Sequence, residues 1–145
     1  MARIVALVAW LALAWPTVSS AADGAALYQD RCAACHQVDG AGLPGMAPPL
    51  RSAVWGKLGR RAPDYLAAVA LNGMSGNLLD GQSYAGAMPS WSALSDAELA
   101  AVGSYVLQGL NGGKQQLTAG EAAAMRRRGH LDAPHLKAMR AGGAP

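Results

Sequence analysis

The sequence predicts an all-α fold: three main helices around two long Gly/Pro-rich loops, followed by a C-terminal helical extension. Three observations carry this. Apolar residues recur at helical spacing behind capping residues, as in Leu99, Val102, Tyr105 and Val106. No segment alternates polar and apolar residues in the manner of a half-buried strand. Glycine and proline are concentrated in two irregular stretches, 37–50 and 73–89.

The elements follow in chain order. Arg3, an unbroken apolar run from Ile4 to Trp15, Pro16 and the small residues up to Ala22 have the layout of a secretory signal peptide. Residues 1–22 are therefore expected to be removed, with the cut after Ala21 or Ala22. Twelve residues rise only ~18 Å as a helix, short of the ~30 Å hydrocarbon core. No permanent membrane span is expected, and without a cysteine behind the run there is no lipoprotein anchor. Asp23 can cap a first helix through Gly24, Leu27 and Tyr28 into a pair of cysteines. Gly40, Gly42, Pro44, Gly45, Pro48 and Pro49 make the first loop. Pro63 near the first turn and Gly73 past the last bracket a second helix, whose Leu66, Val69 and Ala70 share a face. Glycines 73, 76, 81 and 86 mark the second loop. Ser95 and Glu98 form a capping box that opens the third helix. Thr118 and Glu121 repeat the box, predicting a helix to Arg128, and Asp132 can cap another ending near Gly142.

With 145 residues, 52% of them hydrophobic and 14% charged, the chain has room for one modest domain with an appendage. The expected division is a domain over 23–110 and a basic extension over 111–145. The net charge of +3 is unevenly placed. From Asp23 to Leu110 five basic residues face seven acidic ones; from Asn111 onward six basic residues face two acidic. The basic character belongs to the extension and predicts a dipolar molecule. Arg126, Arg127 and Arg128 have no interleaved aromatics, so nucleic acid is not implied. Two readings of the extension stand: a solvated arm laid on the domain, or a docking arm that uses these three arginines. Arg60-Arg61 finds no interpretation in the sequence.

Cys32-Ala33-Ala34-Cys35-His36 has the C-x-x-C-H spacing of covalent haem attachment. One turn can present both thiols to the two vinyl groups of a single haem while His36 brings its ring under the iron. A dithiol redox site would leave His36 without a reason and usually sits in an α/β fold. A structural zinc site needs four ligands, and His130 and His135 lie far off in the extension. Electron transfer calls for a second axial ligand, and a thioether there favours the reduced iron. Of the six methionines, Met1 leaves with the signal, and Met46 is too near His36 along the chain to cross easily to the opposite face. Met125 and Met139 have the spacing of core residues, and Met74 reads as a hydrophobic plug. Met88, in the loop Tyr84-Ala85-Gly86-Ala87-Met88-Pro89-Ser90-Trp91, is the expected ligand.

Together with Gly24-x-x-x-Tyr28 ahead of the motif, Asp39-Gly40-x-Gly42, Pro48-Pro49-Leu50, Gly81-x-x-Tyr84-x-x-x-Met88-Pro89, Leu94-Ser95-Asp96 and Val102-x-x-Tyr105-Val106, the chain resembles class I c-type cytochromes over roughly residues 23–128. The nearer likeness is to the monohaem domains associated with periplasmic or membrane-bound quinoprotein and flavoprotein dehydrogenases. The resemblance implies the cytochrome c fold, with first and last helices crossing so that Gly24 and Tyr28 meet Val102 and Tyr105. It implies one covalent haem c with its iron, held by Cys32 and Cys35 and ligated by His36 and Met88. The Pro48 carbonyl would orient His36, and Leu50, Tyr84 and Trp91 would line the pocket. The function implied is a periplasmic one-electron carrier and not an enzyme, with a dehydrogenase as donor and a cytochrome or terminal oxidase as acceptor. Contact would be at the haem edge near Leu43, Met46 and Ala87. A permanently bound electron-transfer subunit, and a haem enzyme or gas sensor with an open distal site, are the alternatives.

Overall fold

A computed structural model describes residues 22–76 and 82–142. The signal-peptide reading, apart from Ala22, lies outside the described residues, so the choice of a cut after Ala21 or Ala22 stays an expectation. Among the described residues the regular structure is helical, with two isolated bridges and no strand. The order is α1 (Gly24–Arg31), α2 (Ala33–His36), α3 (Val54–Leu58), a 3₁₀ turn (Gly59–Arg61), α4 (Ala62–Asn72), α5 (Asp96–Ser104), a π-helical continuation (Tyr105–Leu110), α6 (Ala119–Arg127) and α7 (Ala133–Ala141). None of these helices is long and apolar enough to cross a membrane.

The caps set the boundaries. Asp23 accepts the backbone N–H groups of Ala25 and Ala26, Asp132 accepts that of His135, and both capping boxes are closed by reciprocal hydrogen bonds. These contacts satisfy donors that the first turn of any helix leaves orphaned. Gly73 ends α4 at φ 72°, a conformation that costs a residue with a side chain. It also lets the second loop pass close, since a Cβ there would lie 2.6 Å from the Met88 carbonyl oxygen.

α1 crosses α5 at Gly24. A Cβ on Gly24 would come within 2.2 Å of the Ala101 carbonyl oxygen, so only glycine allows this approach. The Tyr28 and Tyr105 rings meet just beyond, with centroids 5.3 Å apart. Past Ser104 the helix widens into π geometry. There the Tyr105 ring lies over Gly109, where a Cβ would be 2.6 Å from it, and Val106, Leu107 and Leu110 turn into the core.

Three sequence expectations need correction. The core face of α4 is broader than Leu66, Val69 and Ala70. Val69 and Ala70 are only half-buried, whereas Tyr65, Ala67, Ala68 and Leu71 are buried, because α5, α6 and α7 all pack on this helix. The extension is also more than a solvated arm. Its Leu117, Ala122, Met125, Leu131, Leu136 and Met139 join the same core cluster as Tyr28 and Leu99. Arg126 is not available for docking, because its guanidinium donates to Asp96, Ser92 and Leu94; Arg127 and Arg128 remain exposed. The Arg60-Arg61 pair falls in the 3₁₀ turn, and Arg61 reaches the C-cap Gly142 and lines a cleft with Lys57 and Arg140.

Candidate haem-attachment site

Cys32 is the C-cap of α1, and α2 starts at the next residue. The His36 and Cys35 N–H groups both donate to the Cys32 carbonyl, at 2.9 and 3.2 Å, so Cys32, Cys35 and His36 sit on one tight turn. Both cysteines are free, Cys32 half-buried and Cys35 exposed. Burial, reinforced by the neighbouring Cys35, pushes the Cys32 thiol up to about 11. A reactive dithiol centre is served by the opposite shift. Among the described residues no group of three or more His, Cys, Asp and Glu could hold a metal ion.

His36 is 6% exposed, and its Nδ1 lies 2.8 Å from the Pro48 carbonyl oxygen. With Nδ1 donating the proton, Nε2 carries the lone pair. Among the described residues Nε2 has no hydrogen-bond partner, and no buried side-chain nitrogen or oxygen is left without one while sealed from solvent. Nε2 therefore faces reachable space. Burial lowers the ring's pKa, against the opposing hydrogen bond to Pro48, and so favours the neutral imidazole, the form that binds a metal.

The first loop holds Pro48 in place. Leu43 and Ala47 exchange backbone hydrogen bonds, Gly42 N–H donates to the His36 carbonyl, and the N–H groups of Leu50 and Arg51 both donate to Gly40. Gln37, directly after His36, has φ 63° and ψ 157°, a strained combination for a residue with a side chain. The buried Tyr28 hydroxyl secures that turn by donating to the Gln37 carbonyl at 2.7 Å. The Leu50 carbonyl accepts from both Trp55 Nε1 and Asn111 Nδ2, and Asn111 Oδ1 accepts the Ser52 N–H. Sequence reasoning assigned no role to Trp55 or Asn111. No local pattern marks either: Trp55 closes a loop onto a carbonyl five residues back, and Asn111 bonds Leu50 and Ser52 some sixty residues upstream.

The second loop is stitched to the first. Ala85 and Gly86 donate to the carbonyls of Gly45 and Met46, at 2.8 and 3.0 Å. Met88 and Met74 exchange backbone hydrogen bonds of 2.8 and 3.0 Å, which places both side chains on the same side of the pair. Met74 packs against the core, whereas half-buried Met88 belongs to no part of that cluster. Half-buried Trp91 donates its backbone N–H to the Ala70 carbonyl, and the Arg31 guanidinium lies 6.0 Å from its ring centroid. The Tyr84 hydroxyl donates to Gln82 on the exposed side of the loop. Leu43 and Met46 are 41% and 46% exposed, and Ala87 is exposed as well. Val38, 61% exposed, is a further apolar residue on the first loop that the sequence did not single out.

Residues 21–109 match the protein-family model described as cytochrome c. The chain belongs to the cytochrome c family. It is 41% identical over 87 residues to cytochrome c-552 of Thermus thermophilus, covering 59% of this chain and 66% of that protein, a little under two thirds of the relative's length. It is 37% identical over 97 residues to the CcoP subunit of a cbb3-type cytochrome c oxidase of Cereibacter sphaeroides, covering 64% of this chain and 28% of the relative. It is 33% identical over 108 residues to the cytochrome c subunit of a gluconate 2-dehydrogenase of Pantoea cypripedii, covering 72% and 24%. Cytochromes c carry a covalent haem c and its iron and transfer electrons without catalysing a reaction of their own. The donor set here fits that group: two unpaired thiols on one turn and an imidazole with Nδ1 bonded to Pro48 and Nε2 without a hydrogen-bond partner.

Proposed function

We propose that the chain is a periplasmic one-electron carrier whose haem is bonded to Cys32 and Cys35 and ligated by His36 and Met88. The observation that carries this is the His36 turn, with Nδ1 committed to Pro48 and Nε2 left for a ligand, one residue after a free thiol. The haem, when bound, supplies an iron that cycles between ferrous and ferric. The protein's part is positional. Pro48 fixes the tautomer and plane of His36. Met88 offers a soft thioether that favours the reduced metal, and Leu50, Tyr84 and Trp91 stand on the two loops that would enclose the ring. The stitched loops leave Leu43, Met46 and Ala87 exposed as the contact for a small, transient encounter with a redox protein.

A dehydrogenase as donor and a cytochrome or terminal oxidase as acceptor are supported by the relatives' names, one a dehydrogenase subunit and one an oxidase subunit. The same names favour a second reading, permanent membership of such a complex. Co-purification of a dehydrogenase through a salt wash would support that reading, and isolation as a single chain would support the diffusible carrier.

Replacing Met88 tests the distal assignment. Met88→Ala should leave the haem attached, abolish the absorption band of Met–iron ligation in the oxidised protein and lower the reduction potential. Met74→Ala should cost stability through lost packing and keep the band. The reverse pattern would move the ligand to Met74.

A further inference from the structure

The loop that carries Met88 has two stems, one leaving α4 at Asn72 and Gly73, the other running from Ser90 into α5. Within the loop the stems hold each other: Met74 pairs with Met88, the Ser90 hydroxyl donates to the Leu71 carbonyl, and the Trp91 backbone N–H donates to Ala70. The C-terminal extension grips both stems from outside. On the first stem, Asn72 Oδ1 accepts the Leu131 N–H at 2.8 Å while its Nδ2 donates to the Ala68 carbonyl. On the second, the Arg126 guanidinium spends three donors within five residues: Nη1 on the Ser92 carbonyl at 2.7 Å, Nη2 on the Leu94 carbonyl at 2.6 Å and Nε on Asp96 Oδ1 at 2.9 Å. A planar fork can meet three acceptors at once, which an ammonium on a flexible stem cannot do in fixed geometry. Arg126 and Asp96 are each about one-third exposed, so these charge-assisted bonds are partly shielded from water.

We propose that Arg126, with Asn72, is a positioning residue for Met88, through which the C-terminal extension sets how firmly the thioether keeps its place. The proposal rests on Met88 being the distal ligand. A thioether competes with any exogenous ligand through the difference in free energy between the arrangement in which residues 88–96 are held in place and one in which they are released. Arg126 and Asn72 stabilise the held arrangement through their bonds to residues 92–96 and 131.

The test is a spectroscopic titration of the oxidised holoprotein with imidazole. Arg126→Gln should bind imidazole more tightly, on the order of tenfold, Arg126→Lys by an intermediate factor, and Arg127→Gln, at an exposed neighbour, like the wild type. Asn72→Ala should shift affinity in the same direction from the other stem, which keeps the idea testable if Arg126→Gln does not mature. Combined with Met88→Ala, the Arg126→Gln effect should vanish, because no thioether is left to displace. A lower unfolding midpoint in Arg126→Gln and Asn72→Ala with wild-type imidazole affinity would reduce both residues to structural ties and overturn the proposal. An equal gain in the Met88→Ala background would overturn it too. If Met88→Ala alone leaves imidazole affinity at the wild-type value, the distal assignment itself fails, and the positioning role with it.

Discussion

Ending the chain at Gly113 is expected to remove most of the protein's stability. Without α6 and α7 the faces of α4 and α5 on which they pack are returned to water, in a region where Leu66, Leu71 and Leu99 are all less than 9% exposed. Re-exposing three leucines costs roughly 5–9 kcal/mol, comparable with the 5–15 kcal/mol that typically holds a whole domain together. The hydrogen bonds of Leu117 to Ser104, Leu131 to Asn72 and Arg126 to residues 92–96 are lost as well. Thermal unfolding followed by circular dichroism should show a midpoint lower by about 20 °C or more, or no cooperative transition. A truncated protein that melts with the full-length chain would mean the extension is a solvated arm after all.

Gly24→Ala should be strongly destabilising for a single added methyl group. The new Cβ would sit 2.2 Å from the Ala101 carbonyl oxygen and 2.7 Å from its carbon, rigid backbone atoms that cannot rotate away. α1 must lift off α5, which opens the contact between Tyr28 and Tyr105 and shifts the Cys32 turn at the far end of the helix. Overpacking of this kind costs about 3 kcal/mol, measured by denaturant unfolding. Gly120 in α6 is the control: nothing but the Thr118 hydroxyl, at 4.0 Å, would meet its Cβ. There the same substitution should stabilise the protein by about 0.5–1 kcal/mol, through helix propensity alone. Equal effects at the two sites would contradict the close crossing.

What was legible in the sequence was what depends on near neighbours. Asp23, Ser95 with Glu98, Thr118 with Glu121, and Asp132 announce their helices because a cap satisfies amides two or three residues away. The C-x-x-C-H turn is equally local. α3 was not read, because no side chain caps it and Gly56 interrupts it; Trp55 and Leu58 hold it by burial, and Trp55 Nε1 bonds the Leu50 carbonyl. The π turn depends on the fit of Tyr105 to Gly109, which spacing alone does not reveal. Arg126 looked like part of a charge run because its acceptors are two carbonyls and an aspartate some thirty residues upstream. Met74 and Met88 are backbone partners, and only what their side chains touch separates them.

A spectroelectrochemical titration of the intact holoprotein, run with and without carbon monoxide, bears most directly on the carrier reading. Carbon monoxide binds ferrous haem at an open position, and a ligand that binds only the reduced state raises the potential by linkage. With His36 and Met88 filling both axial positions, the protein should show a single one-electron wave that carbon monoxide leaves in place. A wave that moves upward under carbon monoxide would show an open distal site and contradict the assignment of this chain as an electron carrier with filled axial positions.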